Sequence, residues 1–187
     1  DVTKLVQSGD NALAAEIADG WHRGKFGFMN MYDNYSTTIS LLAQLEISYT
    51  DGSKDVVATD ESWKVSTGEI QFGDIYDGST IDFTKEQKGW KLAGFNDNNW
   101  SSPTIHTVKR ELLEPRVSTR VVEVAEFPAR ILDTNNRTLI DFSQNISGWV
   151  RLVVDGKKGD TVTIRHAEVL EEGPNLHTRA LRTAKAT

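Results

Sequence analysis

Ser40-Leu41-Leu42-Ala43-Gln44-Leu45-Glu46-Ile47-Ser48-Tyr49-Thr50-Asp51-Gly52-Ser53 decides the fold. Leu41, Ala43, Leu45, Ile47 and Tyr49 alternate with Leu42, Gln44, Glu46 and Ser48. A period of two predicts a strand with one buried face and one mostly wet face. Thr50-Asp51-Gly52-Ser53 then supplies hairpin chemistry, because Gly tolerates positive φ and Asp caps its own turn. Val56 and Val57 mark the returning strand, and Trp63 with Val65 a further one.

The same grammar recurs downstream. Leu139 to Phe142 and Trp149 to Val154 read as strands joined by Ser143-Gln144-Asn145. Asp155 to Asp160 is a turn, and Thr161 to Val169 reads as a long β-branched strand. Asn11 to Ile17 also carries helical spacing through Leu13 and Ile17, but Gly9 and Ala18-Asp19-Gly20 favour a short strand. No long amphipathic helix appears. The expected class is all-β: two β-sandwich modules, jelly-roll-like. Pro103, Pro115 and the turn formers from Asn96 to Ser102 place a boundary between Ser101 and Val117. The modules are then 1–112 and 113–187.

Composition narrows the function classes. The chain has 187 residues, 38% hydrophobic and 26% charged, which is near the globular average. Its net charge of −6 and lack of a basic tract disfavour nucleic acid, whose phosphates call for a basic stripe. No apolar run approaches the roughly 18 residues of a membrane span. Zero cysteines exclude disulfides, thiolate metal sites and cysteine nucleophiles. Nothing has the form of a signal peptide.

Few residues are arranged for chemistry. Gly156-Lys157-Lys158-Gly159-Asp160-Thr161 has the wrong spacing for a phosphate loop, and no helix follows. His166 and Glu168 would share a strand face, but no second histidine stands at a ligand-like interval, so no metal site is assigned. Triplets of the form N-x-S/T begin at Asn34, Asn99, Asn136 and Asn145, and polar β loops produce them by chance. Serine-nucleophile signatures are missing. Glycoside hydrolysis needs two carboxylates about 6.5–9.5 Å apart for inversion, and among 27 acidic residues some pair meets that by accident.

Aromatics beside turn residues say more. Asp19-Gly20-Trp21-His22-Arg23-Gly24, Asp74-Ile75-Tyr76-Asp77-Gly78 and Lys88-Gly89-Trp90 each set a ring next to a turn. Sugars stack CH faces on such rings and give their hydroxyls to Asp, Asn or Arg. Asp19, Trp21, Tyr76, Asp77 and Trp90 are therefore the candidate carbohydrate-binding residues. The bland alternative is that Trp21, Trp63, Trp90, Trp100 and Trp149 fill sandwich cores, with Asp19 and Asp77 only capping turns.

These strings also carry a resemblance. Leu42 to Ser53, Thr59 to Lys64, Ser66-Thr67-Gly68, Asp19 to Gly24, Asp74 to Gly78 and Gly94-Phe95-Asn96-Asp97 resemble the N-terminal accessory region of bacterial α-L-rhamnosidases. Asp141 to Arg151, Ile164 to Leu170 and Arg182 to Thr187 resemble the family's following β module. His22 stands where the family often has Tyr, and Ser143 where it often has Gly.

The resemblance implies a multidomain inverting glycosidase that releases terminal α-L-rhamnose. Its catalytic acids would lie in an (α/α)₆ barrel downstream, so no catalytic residue carries onto this chain. Asp1 is not a Met, and the second module still runs at Thr187, so a piece truncated at both ends is expected. The implied partners are that barrel and a rhamnose-containing carbohydrate. No cofactor is assigned; some related accessory modules bind calcium, which is not placed on residues here. A periplasmic or external location would suit such an enzyme. Two roles compete: a non-catalytic scaffold that packs on the barrel, and a carbohydrate-binding module that holds rhamnosides. An independent enzyme lacks any supporting signature.

Overall fold

The structure, a computed structural model, describes residues 1–27, 29–134, 137–185 and 187. Asn136, which opens one N-x-S/T triplet, and Ala186, inside the last string of resemblance, lie outside the described residues. Two compact units follow one another along the chain, Asp1–Thr107 and Val108–Thr187.

In the first unit the deciding stretch forms the expected hairpin. Strand β1 (Gln44–Ser48) pairs antiparallel with β2 (Lys54–Ala58) in a register that sets Leu45 opposite Val57. The turn closes because Gly52 takes φ +88° and the Tyr49 N–H donates to the Ser53 carbonyl at 2.9 Å. Asp51 Oδ1 accepts from both the backbone N–H and the hydroxyl of Ser53, at 2.9 and 2.7 Å. Those bonds hold the Asp51 carboxyl below the usual carboxylate range.

A second hairpin joins β3 (Ile70–Asp74) to β4 (Gly78–Ile81). The register shifts between Ile70 and Phe72, so Gln71 is an extra residue, as in a β-bulge. Ile75, Tyr76 and Asp77 form its loop, and Gly78 at φ +86° brings the chain back. A single helical turn, α1 (Gly20–Arg23), precedes both hairpins.

The second unit contains one hairpin, β5 (Arg130–Thr134) with β6 (Arg137–Asp141), pairing Ile131 with Ile140 and Leu132 with Leu139. Just past it, Ser143 adopts φ +61°, the left-handed region that favours glycine. Ser143 thus keeps a glycine-like backbone. Asp141 Oδ1 accepts the Ser143 N–H at 2.7 Å, and Arg130 Nη2 donates to the Ser143 hydroxyl at 2.7 Å. Two local bonds hold the less favourable conformation in place.

Every sheet among the described residues is antiparallel, and helix is confined to single turns. The all-β class expected from the sequence is the class observed. Several expected strands are not paired into sheets, however. Asn11 to Ile17, Trp149 to Val154 and Thr161 to Val169 run without ladder partners, and Val65 makes only an isolated bridge to Ser101. The reason is geometric: a β pattern becomes a strand only when another edge accepts its hydrogen bonds.

Apolar burial is correspondingly low. Among the described residues no hydrophobic side chain is buried, and the buried ones are Lys25, Asp74 and Asp77. Strand faces patterned for burial therefore lie on the surface. Among the described residues the best-enclosed side chains form an ion pair, Lys25 with Asp77.

Candidate functional site

The site grows from a close approach between two loops. Gly24 ends α1 against the β3–β4 turn, where an added Cβ would strike the Gly20 carbonyl and come within 2.6 Å of Asp74 Oδ2. Only glycine fits without movement of the chain or of Asp74. The approach lets the Lys25 N–H donate to Asp74 Oδ2 at 2.6 Å. Asp74 Oδ1 accepts the N–H groups of Tyr76 and Asp77, both at 2.8 Å. Asp74 thereby ties the β3–β4 turn to the chain leaving α1.

Asp77 completes the tie. Its Oδ1 accepts the Lys25 ammonium at 3.0 Å, and its Oδ2 accepts the Tyr32 hydroxyl at 2.7 Å. Lys25 is 3% exposed and Asp77 6% exposed, so this charge pair is removed from water. The bond to Asp77 pushes the Tyr32 pKa up to about 12, aided by desolvation and by the Asp77 and Asp74 charges. Phe26 and Met31 bridge across the intervening loop, with the Phe26 N–H donating to the Met31 carbonyl at 2.9 Å. The loop is pinned from below by charge and across its base by backbone.

Aromatics gather around α1. Trp21 meets Phe26 edge-on at 5.5 Å between ring centroids and Tyr76 at 5.8 Å. His22 stacks on Tyr35 at 6.1 Å. Asp19 pairs with Arg23 at 3.3 Å, and Arg23 reaches Asp33 at 3.4 Å. A shallow cleft of about 280 Å³ runs beside α1, lined by Ile17, Ala18, Asp19, His22, Ile39 and Ser40.

The structure thus gathers part of the sequence-derived set. Trp21 and Tyr76 touch, and Asp19 stands at the start of the same helical turn. Trp21 remains 49% exposed, so it fills no core. Asp77 is spent on Lys25 and Tyr32 inside the base. Trp90 belongs to another cluster: its ring lies 6.2 Å from Trp100, which packs on Phe95 and donates to Gln87 at 2.7 Å. Lys91 covers the Trp90 ring at 4.8 Å.

Sequence reasoning missed Lys25, Tyr32 and Asp74. The available signal was two aspartates three residues apart in a turn, of which one can cap the turn's N–H groups and the other take a cation. Elsewhere, Asp160 Oδ2 accepts the Lys157 N–H at 2.7 Å, closing the Gly156–Asp160 turn on itself. Among the described residues no three His, Asp or Glu groups converge as metal ligands, and no helix is long and apolar enough to cross a membrane.

Antiparallel hairpins joined by loops that carry aromatics and carboxylates define an all-β protein of two successive units. Within that class the chain belongs to the α-L-rhamnosidase N-terminal domain family, whose model matches residues 1–125. Residues 132–187 match the bacterial α-L-rhamnosidase concanavalin-like domain. An α-L-rhamnosidase of Formosa agariphila is 36% identical over 193 residues, covering 100% of this chain and 20% of its own length. One from Streptomyces avermitilis is 37% identical over 190 residues, covering 100% and 18%. The crystal structure of native α-L-rhamnosidase from Aspergillus terreus superposes with a TM-score of 0.81 at 38% identity, over 89% of this chain and 20% of that one. The Streptomyces avermitilis enzyme complexed with L-rhamnose gives 0.69 at 33% identity, over 90% and 16%. The chain spans about a fifth of the length of the curated relatives it matches.

Proposed function

We propose that the chain is a non-catalytic accessory region of a larger α-L-rhamnosidase, a glycoside hydrolase that releases terminal α-L-rhamnose. Its work is to pack on and support the catalytic part of its parent polypeptide. The observation that carries this reading is the use to which its buried carboxylates are put. Asp74 accepts three backbone N–H groups, and Asp77 is engaged by Lys25 and Tyr32. A general acid or base has to reach the glycosidic oxygen or its attacking water, and neither of these carboxylates faces an open cleft. No cofactor enters this reading. Removing residues 1–187 from the parent enzyme tests it: the remainder should melt at lower temperature and aggregate sooner. An unchanged melting curve would refute the supporting role.

A second reading is carbohydrate binding at the aromatic lobe, favoured by the half-exposed Trp21 with Tyr76 at its edge and Asp19 nearby. Such a shallow site would hold rhamnose at around 0.1–1 mM. Rhamnose titration by NMR, with Trp21→Ala and Asp19→Asn, distinguishes it. Asp77→Ala is unsuitable as a probe, since it would uncover the Lys25 charge. No saturable shift would leave only the supporting role.

A further inference from the structure

Four steps in the chain read Asp-Gly: Asp19-Gly20, Asp51-Gly52, Asp77-Gly78 and Asp155-Gly156. An aspartate before glycine can react with its own backbone, because glycine has no side chain to shield the following nitrogen. The Gly nitrogen gives its proton to water and attacks Cγ of the protonated Asp side chain. A C–N bond closes a succinimide ring, and one carboxyl oxygen leaves as water. Water then adds at either ring carbonyl. Opening at Cγ restores Asp, whereas opening at the backbone carbon routes the main chain through Cβ and Cγ as isoaspartate. One water leaves and one returns, so the change is an isomerisation that needs no oxidant and no cofactor.

The fold treats the four steps differently. At Asp77 both carboxylate oxygens are engaged, Oδ1 by Lys25 at 3.0 Å and Oδ2 by Tyr32 at 2.7 Å, in a residue only 6% exposed. Gly78 is fixed in the β3–β4 ladder opposite Asp74. At Asp51 the nucleophile is occupied, since the Gly52 N–H donates to the Tyr49 carbonyl at 3.1 Å. Ser53 also donates twice to Asp51 Oδ1, which disfavours the protonated carboxyl that the attack requires. At Asp19 the backbone is right-handed helical, with φ −59° and ψ −38°. That rotation turns the Gly20 nitrogen out of the plane in which the ring would close. Asp19 Oδ1 pairs with Arg23 at 3.3 Å, and its carbonyl accepts the Arg23 N–H at 3.1 Å.

Asp155-Gly156 carries none of these locks. Among the described residues neither the Asp155 carboxylate nor the Gly156 N–H is hydrogen-bonded. The bonds that close the turn lie just beyond, from the Lys157 N–H to Asp160 Oδ2 at 2.7 Å and from the Asp160 N–H to the Lys157 carbonyl at 3.0 Å. Trp149 to Val154 and Thr161 to Val169 run on either side without a ladder partner among the described residues. No sheet therefore fixes rotation about the Asp155 Cα–C bond.

We infer that Asp155-Gly156 is a modification site, the step at which aspartate turns spontaneously into isoaspartate ahead of the other three. The product adds a methylene to the main chain of the turn. It also presents a free α-carboxylate there, the group that an isoaspartyl methyltransferase esterifies. This site is independent of the supporting role proposed above.

Peptide mapping of the full-length parent enzyme, aged at neutral pH, tests this, with mass spectrometry separating the Asp and isoaspartate forms of each step. Isoaspartate should accumulate at Asp155 about a hundredfold or more faster than at Asp77, whose buried ion pair has to break first. The lead over Asp51 and Asp19, which must give up exposed bonds, should be about tenfold. Gly156→Ala should suppress conversion at Asp155. Gly156 lies outside the left-handed region and an added Cβ would stand 3.4 Å from Asp160 Oδ2, so the variant fits the turn. Ageing in guanidinium should make the four rates comparable. Conversion at Asp155 no faster than at any other step of the folded enzyme would overturn the inference, as would conversion that persists in Gly156→Ala. An undiminished lead in guanidinium would overturn it too, by assigning the lead to flanking sequence rather than to the fold.

Discussion

Replacing Lys25 by Met keeps most of the aliphatic stem and deletes the ammonium that pairs with Asp77. At 3.0 Å and an effective dielectric of about 20, the attraction between Lys25 and Asp77 is ~5 kcal/mol, much of it offset by the cost of desolvating both ions. Truncation is not the reverse of forming the pair. It leaves the Asp77 carboxylate in its buried position without that cation, a change that costs ~3–5 kcal/mol. Total stabilities of domains are ~5–15 kcal/mol, so the loss is a large share. A geometric control exists in the same chain. Arg151 and Glu126 approach more closely, at 2.9 Å, but their side chains are 72% and 67% exposed. Arg151→Ala should therefore cost under about 1 kcal/mol. Urea titration followed by tryptophan fluorescence measures both, with amide exchange at Tyr76 and Asp77 reporting the local opening. The double variant Lys25→Met with Asp77→Asn should lose less than Lys25→Met alone, because no uncompensated charge remains. A Lys25→Met cost no greater than that of Arg151→Ala would refute the reasoning that burial, rather than distance, sets the value.

Ser143→Gly relieves a left-handed backbone at the loss of one exposed hydrogen bond, and should be neutral or stabilising by up to about 1 kcal/mol; a loss above that range in urea titration would show that the bond to Arg130 matters more. The hydroxyls and N–H groups of Ser53, Ser62 and Thr84 hold the carboxyls of Asp51, Asp60 and Asp82 below their usual range. Depressed folded values stabilise above the unfolded pKa near 4, and that contribution disappears as pH falls through the folded values. Asn at all three positions keeps the turns without the charge, so the acid limb of a melting-temperature profile should flatten. Tyr32 is shifted the other way, to about 12: the folded form keeps its proton longer, so its contribution is present below pH 10 or so and declines between roughly 10 and 12. Tyr32→Phe should remove that alkaline step. Unpaired strand edges and exposed apolar faces predict that the isolated chain self-associates. Sedimentation showing a monomer at high concentration would contradict this.

The sequence was most legible where pattern and turn chemistry agree. Leu45 and Ile47 alternate into Asp51-Gly52, and both signals point to one hairpin with one register. The β3–β4 hairpin showed only its turn, because Gly73 and the extra residue Gln71 break the alternation on β3. Trp149 to Val154 shows the converse failure. Leu152, Val153 and Val154 are consecutive, a run that asks for cover on both faces, and it runs here without a ladder partner. At the site, Trp21 and Tyr76 could be guessed because each sits beside an Asp-Gly turn. Asp77 stands out for the same reason, but nothing local announces its partner Lys25, 52 residues away. Local chemistry identifies a carboxylate at a turn; it does not say which cation the fold brings to it.

We propose that these β modules serve an α-L-rhamnosidase without carrying its catalytic groups. Hydrolysis of an aryl α-L-rhamnoside by the isolated chain, purified to homogeneity, tests that most directly. No turnover above the uncatalysed rate is expected. Turnover that persists through repurification, and disappears when a single carboxylate among these 187 residues is neutralised, would contradict it.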